Sequence, residues 1–270
     1  ELPRRVAALL HPHPVTEDLP LPMSSSHSHS SRILILDFGS QYTQLIARRV
    51  RELNVYCEIH PGDLPLEDVR DFDASGLILS GGPASVLDAD SPDVDPDLFQ
   101  LGTPILGICY GLQLMVKRLG GEVEASDDRE YGRAQLQIDK EDALFAGLSQ
   151  TEERVVWMSH GDRVLSLPAG FEVLASSGHS PFAAVRCSDV PIWGLQFHPE
   201  VAHTDGGLQI LENFVRHICQ CAGDWTTEAF IDESIQRIRD QIGQGNVICG
   251  LSGGVDSSVA AALVHRAVGD

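Results

Sequence analysis

The chain has little positive charge, few aromatic side chains and no long hydrophobic run. Its 270 residues carry 39 acidic side chains against 19 basic ones, and the only lysines are Lys117 and Lys140. The net charge of −20 argues against general binding to nucleic acid or anionic membranes, since both require a basic surface. No apolar stretch approaches the ~18 residues that span a bilayer.

Cysteine is also too sparse for a disulfide scaffold. The six cysteines are Cys57, Cys109, Cys187, Cys219, Cys221 and Cys249. None of their spacings is that of a zinc site, so we expect reduced thiols and a cytoplasmic protein. The aspartates between Asp88 and Asp97 lack the glycine and terminal glutamate of an EF-hand loop, and the sequence predicts no metal site there.

The remaining composition divides the chain into three parts. Residues 1–31 are rich in proline, serine and histidine and are expected to form a disordered N-terminal extension. Residues 32–222 alternate short apolar runs with helical spacing, as in one large domain. A boundary near Gly223 then opens a second unit, residues 223–270.

The large domain is predicted to be an α/β fold, a doubly wound and mostly parallel sheet with flanking helices. The predicted strands are Ile33–Leu36, Val55–Ile59, Gly76–Leu79 and Ile105–Ile108, and the predicted helices are 41–53, 111–119 and 207–221. Residues 122–197 hold several short runs separated by turn residues, which indicate added and partly antiparallel strands.

The most informative motif is Gly107-Ile108-Cys109-Tyr110-Gly111, between a predicted strand and a predicted helix. This is the pattern of a nucleophile elbow with cysteine in the place of serine. The flanking glycines allow a strained turn and close packing around it. Cys109 is therefore a candidate catalytic nucleophile.

A second motif, His198-Pro199-Glu200, follows the strand-like run Ile192–Phe197. Residues two apart in a strand point to the same face. Glu200 can then orient the His198 imidazole, and the imidazole can activate the Cys109 thiol. A buried cysteine and a lone histidine are usually structural, but the elbow glycines and the third group together favour a catalytic triad.

These residues resemble the class I glutamine amidotransferase family. Ile35–Tyr42 resembles its first strand and turn, Ile78–Ser85 its oxyanion loop and Met158–Asp162 its substrate-side segment. The resemblance implies that Cys109, His198 and Glu200 hydrolyse glutamine and that the backbone N–H groups of Gly82 and Tyr110 bind the oxyanion. It also implies that glutamine is held by Gln113, Ser159, His160 and Asp162. From the residues alone, Gln113 could instead pack on its helix, and His160–Asp162 could form a turn.

The second unit predicts a helix (226–242), a strand (Asn246–Gly250), a Ser-Gly-Gly-Val-Asp-Ser-Ser loop and a helix (258–268). Such a loop before a helix can cradle phosphate through backbone N–H groups. It lacks the lysine of a Walker A loop. An ordinary glycine-rich turn is the plainer alternative.

The loop resembles the pyrophosphate-binding loop of the ATP pyrophosphatase family. By that resemblance the ATP-binding residues are Ser252, Gly253, Gly254, Val255, Asp256, Ser257 and Ser258. A triad glutaminase followed by this loop is the arrangement of the GMP synthase family. It implies ATP and Mg²⁺ as cofactors, amination of xanthosine 5′-monophosphate to GMP, and a cytoplasmic homodimer, with the synthetase domain truncated at residue 270.

Three other interpretations stay open at this point. The chain could be the glutaminase of another synthase, for example one making anthranilate, carbamoyl phosphate or CTP. It could be an inactive module that binds glutamine or a partner. It could also be a glutaminase whose turnover depends on an acceptor domain that is mostly missing here.

Overall fold

The computed structural model describes residues 31–269, with the backbone alone for residues 126–129. The predicted disordered extension, residues 1–31, therefore lies outside the described residues apart from Ser31. Ser31 is buried, and its hydroxyl accepts a hydrogen bond from the amide N–H of Ala222 at 2.9 Å. The segment before the first strand thus lies beside the segment that closes the large unit, whose limits of 32 and 222 stay a prediction.

One nine-stranded sheet organises the large unit. Its strands are β1 (Arg32–Asp37), β2 (Tyr56–Pro61), β3 (Gly76–Leu79), β4 (Ile105–Ile108), β5 (Glu122–Ile138), β6 (Arg154–Ser166), β7 (Phe171–Ser177), β8 (Ala184–Cys187) and β9 (Ile192–Leu195). Their spatial order is β2-β1-β3-β4-β9-β8-β7-β5-β6. The first five strands in this order, β2, β1, β3, β4 and β9, pair in parallel. Strands β8, β7, β5 and β6 continue the sheet with antiparallel pairing. The predicted α/β fold class is confirmed.

Six helices complete the described chain. They are α1 (Thr43–Glu52), α2 (Leu66–Phe72), α3 (Tyr110–Arg118), α4 (Gly207–Glu212), α5 (Thr227–Ile242) and α6 (Val255–Val268). Helix α4 continues directly into a π-helical segment, Asn213–Ile218, and short 3₁₀ turns cover Pro96–Gln100 and Ala143–Phe145. Helix α6 begins at Val255, three residues earlier than the sequence predicted.

Alternate residues of the central strands enter two separate cores, one on each face of the sheet. Ile33 and Ile35 of β1 pack with α1 and α4, whereas Leu34 and Leu36 pack with α2 and α3. All four side chains are at most 1% exposed. A strand that is buried on both faces has a continuous apolar run as its sequence, which explains why β1 was found from the sequence.

The strand predicted over Asn246–Gly250 is absent. Those residues are irregular, and the side chain of Ile248 is 99% exposed. A strand needs a neighbouring strand to pair its N–H and C=O groups, and none of the described strands lies beside this segment. The apolar run Asn246–Gly250 does not show from the sequence whether a neighbouring strand is present. Of the predicted βα unit, only the helix is found in the structure.

The close approach of α3 to β3 predicts a strict limit on side-chain size at Gly111. A Cβ atom there would lie 2.4 Å from the Leu79 carbonyl oxygen and 2.7 Å from the Leu79 Cβ. Since backbone atoms cannot yield cheaply, we expect Gly111→Ala to lower the free energy of unfolding by about 1–3 kcal/mol in urea denaturation.

Gly178→Ala is the matched control, because a Cβ atom at Gly178 would meet no heavy atom within 4 Å. Its free energy of unfolding should stay within about 0.5 kcal/mol of the parent protein. Equal effects of the two substitutions would contradict the packing argument.

Candidate active site

Cys109 lies in the turn between β4 and α3, at the carboxyl end of the parallel strands. Its backbone has φ 52° and ψ −103°, a conformation that residues with a side chain rarely adopt. Gly107 and Gly111 permit it, since a Cβ atom on Gly107 would come 2.8 Å from the Gly111 backbone. The Cys109 N–H is tied to the Leu195 carbonyl of β9 at 2.7 Å. The turn has the strained geometry of a nucleophile elbow.

His198 and Glu200 form a buried carboxylate–imidazole contact beside this turn. His198 Nδ1 lies 2.7 Å from Glu200 Oε1, and the two side chains are 3% and 0% exposed. An ionised carboxylate only accepts, so Nδ1 carries a proton and Nε2 is left to interact with Cys109, which acts on the ring electrostatically. The Cys109 Sγ itself lies 3.5 Å from the Ser159 carbonyl oxygen. Strand β9 ends at Leu195, so the pair meets in the turn beyond the strand and not through strand periodicity.

The surroundings of His198 hold a proton on its ring. Burial alone lowers its pKa, but the Glu200 carboxylate and the Cys109 thiol outweigh burial and raise the pKa from 6.5 to about 10. Among the described residues, the imidazole is the one hydrogen-bonding partner of the Glu200 carboxylate. It contacts Oε1, and the buried Oε2 has no hydrogen-bonding partner. The surroundings of the ring therefore favour its imidazolium form.

Backbone contacts fix the orientation of both residues. The His198 N–H donates to the Trp157 carbonyl at 3.0 Å, and the Thr204 hydroxyl donates to the His198 carbonyl at 2.6 Å. Arg49 Nε donates to the Glu200 carbonyl at 3.1 Å. The imidazole is therefore held from its main chain as well as through its ring.

Two backbone N–H groups near Cys109 are free to act as donors. Tyr110 is the first residue of α3, where an N–H has no acceptor within the helix. Neither this N–H nor that of Gly82 donates to another residue in the part of the chain that the structure describes. A Cβ atom on Gly82 would lie 3.2 Å from the Tyr110 side chain, so the loop after β3 packs against the start of α3.

A cavity of about 540 Å³ opens over the Cys109 thiol. It is lined by seven of the predicted site residues: Gly82, Cys109, Gln113, Ser159, His160, Asp162 and His198. Glu200 lies behind His198. The Tyr110 side chain points away, since its ring packs on Phe38 and its hydroxyl donates to the Pro92 carbonyl. The predicted nucleophile, base and glutamine-binding residues are thus brought together.

Strand β6 carries three of these residues, Ser159, His160 and Asp162. The possible turn over His160–Asp162 is absent, because the segment is extended and pairs with β5. Gln113 reaches across from α3, where its Nε2 donates to the Asp162 carbonyl at 2.9 Å. The Asp162 carboxylate accepts from the Ser85 hydroxyl at 2.5 Å. Asp162 is therefore held through both its main chain and its side chain.

Sequence reasoning missed two aromatic side chains of the cavity. Tyr131 of β5 lies opposite Ser159 and is 63% exposed. Tyr42 meets the His198 ring edge-on, with the ring centroids 5.0 Å apart. Tyr42 was part of a family-like string without an assigned role, and no local pattern marked Tyr131.

The serine-rich loop before α6 contributes nothing to this cavity, as judged from the described residues that line it. Gly253 has φ 82°, and the hydroxyls of Ser257 and Ser258 donate to the Gly254 carbonyl at 3.0 and 2.8 Å. The Ser252 and Ser257 hydroxyls are 3.0 Å apart. The loop is a compact turn at a helix N-terminus.

Comparison with known proteins agrees with both parts of the chain. Residues 34–218 match the family described as glutamine amidotransferase class-I, and residues 226–270 match the one described as NAD synthase. GMP synthases (glutamine-hydrolysing) of Desulfotalea psychrophila and Staphylococcus carnosus are 54% and 53% identical over 238 residues. These matches cover 88% of this chain and 46% of each relative, so the chain spans about half their length.

Solved structures show the same likeness. A protein of Thermoplasma acidophilum, described as a GMP synthase subunit, is 34% identical with a TM-score of 0.59, over 72% of this chain and 96% of that one. A glutamine amidotransferase of Methylobacillus flagellatus is 25% identical with a TM-score of 0.50, over 71% and 75%. Within residues 31–269, no helix has the length and apolarity needed to cross a membrane.

The raised pKa of His198 predicts a pH-dependent contribution to stability. A raised pKa stabilises the folded state fully below the unfolded value of 6.5, and this stabilisation is lost as pH rises through about 10. Glu200→Gln removes the attracting charge, so we expect a lower pKa for His198. A ¹⁵N NMR titration of the imidazole ring measures this pKa. The stability difference between the parent protein and Glu200→Gln should shrink between pH 7 and pH 11.

Glu228→Gln serves as the control, because this exposed carboxylate lies in the first turn of α5, far along the chain from the triad. It should leave the His198 resonances in place. A His198 ring that titrates identically in the parent protein and in Glu200→Gln would contradict the electrostatic argument.

Proposed function

Because the chain belongs to the class I glutamine amidotransferase family, we propose that it hydrolyses the side-chain amide of glutamine with Cys109 as the nucleophile. The observation that carries this proposal is the meeting of Cys109 and His198 at one cavity, with Glu200 behind the imidazole at 2.7 Å. A nucleophile, a base and a group that orients the base are the parts that covalent amide hydrolysis requires.

The first half-reaction forms a thioester. The imidazolium of His198 holds the thiol proton, and the Cys109 thiolate attacks the amide carbon of glutamine. The carbonyl oxygen becomes an oxyanion, for which the N–H groups of Gly82 and Tyr110 are the donors. His198 then gives its proton to the amide nitrogen, the C–N bond breaks and ammonia leaves.

The second half-reaction releases glutamate. His198, now neutral, takes a proton from water, and the resulting hydroxide attacks the thioester carbon. The same N–H groups stabilise the second oxyanion until the C–S bond breaks and the thiolate re-forms. Glu200 keeps the proton of the imidazole on Nδ1 and stabilises the imidazolium in both steps.

Polar groups on β6 and α3 along the cavity wall fit the amino-acid end of glutamine. The Asp162 carboxylate, held by Ser85, supplies a negative charge for the α-ammonium group. Gln113, Ser159 and His160 line the same region and supply polar groups around the α-carboxylate. Glutamine would thus lie with its side-chain amide at Cys109 and its charged end toward β6.

The second unit fits a phosphate group of ATP. Gly253 adopts a positive φ, and residues 252–256 are exposed at the N-terminus of α6, where backbone N–H groups point outward. Ser252, Gly253, Gly254, Val255, Asp256, Ser257 and Ser258 would hold the pyrophosphate. Among the described residues no cluster of acidic, histidine or cysteine side chains could hold a metal alone, so Mg²⁺ would arrive with the phosphates.

The acceptor of ammonia is inferred from the relatives. ATP supplies adenylation, which turns a carbonyl oxygen of the acceptor into a leaving group. The similarity to GMP synthases, and a pyrophosphate-type loop directly after a glutaminase, favour xanthosine 5′-monophosphate over the acceptors of anthranilate, carbamoyl phosphate or CTP synthesis. In this proposal the full-length protein is a cytoplasmic homodimer that makes GMP.

Covalent labelling tests the glutaminase site without requiring turnover. A glutamine-analogue diazoketone should modify Cys109 alone, excess glutamine should suppress the adduct, and His198→Ala should reduce it by at least about tenfold. Peptide mass spectrometry locates the adduct. Burial raises the pKa of the Cys57 thiol to about 11 and that of Cys219 well above its usual value, so neither should compete.

Cys249 provides the internal control, because it is the one exposed cysteine among the free cysteines of the described chain. Iodoacetamide should modify Cys249 in every variant, whereas the diazoketone should spare it. Labelling that spreads over Cys57, Cys187 and Cys219, or that glutamine does not suppress, would mean that the proposed site is not formed.

A further inference from the structure

A second buried carboxylate–imidazole contact lies beside the cavity, between Glu130 and His160. Glu130 of β5 is directly opposite His160 of β6 in the strand register. Glu130 Oε2 lies 3.3 Å from His160 Nε2, and the side chains are 12% and 6% exposed. Neither the Glu130 oxygens nor His160 Nε2 forms a hydrogen bond of good geometry with another described residue.

The cost of this arrangement points to a role beyond stability. A buried polar group without a hydrogen bond destabilises a fold by roughly 1–3 kcal/mol, and among the described residues the His160 ring is the one polar group beside the Glu130 carboxylate. An apolar pair would fit the two strands with less cost. Such arrangements occur most often beside functional sites.

The other edge of the His160 ring leads to the substrate cavity. His160 Nδ1 lies 2.9 Å from the Asp162 carbonyl oxygen, which only accepts, so Nδ1 donates. The same carbonyl accepts the hydrogen bond from Gln113 Nε2. Two donors thereby fix the Asp162 peptide, while Ser85 fixes the Asp162 carboxylate.

These contacts form a chain from Glu130 through His160 to Asp162. The Glu130 side chain packs against the Nε2 edge of the ring and limits its rotation, which keeps Nδ1 directed at the Asp162 carbonyl. We propose that Glu130 is a positioning residue for the amino-acid end of the substrate, acting through His160 on Asp162. The inference rests on the proposed glutaminase function, and it concerns substrate binding and not the bond-breaking steps.

Inactivation kinetics with the diazoketone analogue separate binding from chemistry. Glu130→Ala should raise the half-saturating concentration KI at least about tenfold and change the limiting rate kinact by less than about threefold. Iodoacetamide has no amino-acid end, so its rate of reaction with Cys109 should not change. A general loss of structure would change the reaction of Cys109 with both reagents. Circular dichroism checks the fold of each variant.

Two further variants test the route of the effect. Glu130→Gln keeps the size of the side chain and can donate to Nε2, so KI should stay within about threefold of the parent value. His160→Ala should raise KI at least as much as Glu130→Ala does, because it also removes the ring from the cavity. In the His160→Ala background, Glu130→Ala should add nothing, since residues acting in series are not additive.

Glu124→Ala is the matched control. Glu124 lies on the same strand and forms a cross-strand contact with Arg163, but both side chains are well exposed and neither lines the cavity. This variant should leave KI unchanged. If Glu130→Ala does not fold, Glu130→Val, whose side chain suits a strand, is measured by the same criteria.

The possible outcomes are distinct. An unchanged KI in Glu130→Ala, or an equal fall in kinact and in the iodoacetamide rate, overturns the inference and leaves the glutaminase proposal intact. A tenfold increase of KI in Glu130→Gln also overturns the inference. The glutamine side chain has the size of the glutamate and would still hold the His160 ring in place, so the loss of affinity would have another cause. If the diazoketone fails to label Cys109 in the parent protein while iodoacetamide labels it, the proposed function falls and the inference falls with it.

Discussion

The packing of α3 directly against β3 and β4 is the constraint on which the candidate site depends. Gly107 and Gly111 let the helix approach the strands to a distance that a Cβ atom would prevent. The turn at Cys109 between the two glycines has a positive φ. The same turn leaves the Tyr110 N–H without a helical acceptor and places Gln113 one turn later, within reach of β6. One close contact thus positions the candidate nucleophile, a candidate oxyanion donor and one wall of the cavity.

The parallel and antiparallel parts of the sheet contribute different residues to the cavity. Parallel strands share a carboxyl edge, so the loops after β3, β4 and β9 bring the Gly82 peptide, Cys109 and His198 together. The antiparallel strands β5 and β6 extend the sheet beyond that edge and add Ser159, His160 and Asp162 as a side wall. In the proposed reaction, the parallel strands would supply the groups at the reacting amide, whereas the antiparallel addition, together with Gln113 of α3, would hold the amino-acid end.

The sequence predicted β1, β3 and β4 well because each is buried on both faces and forms an apolar run. It predicted the triad residues through local motifs, although the reasoning for His198 and Glu200 assumed a strand that in fact ends at Leu195. Glu130 and Tyr131 could not be found in this way. Their importance comes from register with β6, a long-range property that no local spacing encodes. The prediction of a strand at Asn246–Gly250 was wrong for the same reason, since a strand forms only beside a neighbouring strand that pairs with its backbone.

The glutaminase unit and the second unit differ in how completely they are built. Every group in the proposed hydrolysis lies between Gly82 and Glu200, inside a unit with closed cores on both faces of its sheet. By contrast, Leu251 and Val255 beside the phosphate-type loop are 65% and 78% exposed, and α6 is held mainly by its contact with α5, where Arg239 donates to the Ala267 carbonyl. Assembly of the Cys109 site therefore needs nothing from the loop. Coupling of ammonia release to an acceptor would act on a site that is already formed, so it would control turnover and leave the reactivity of the nucleophile in place.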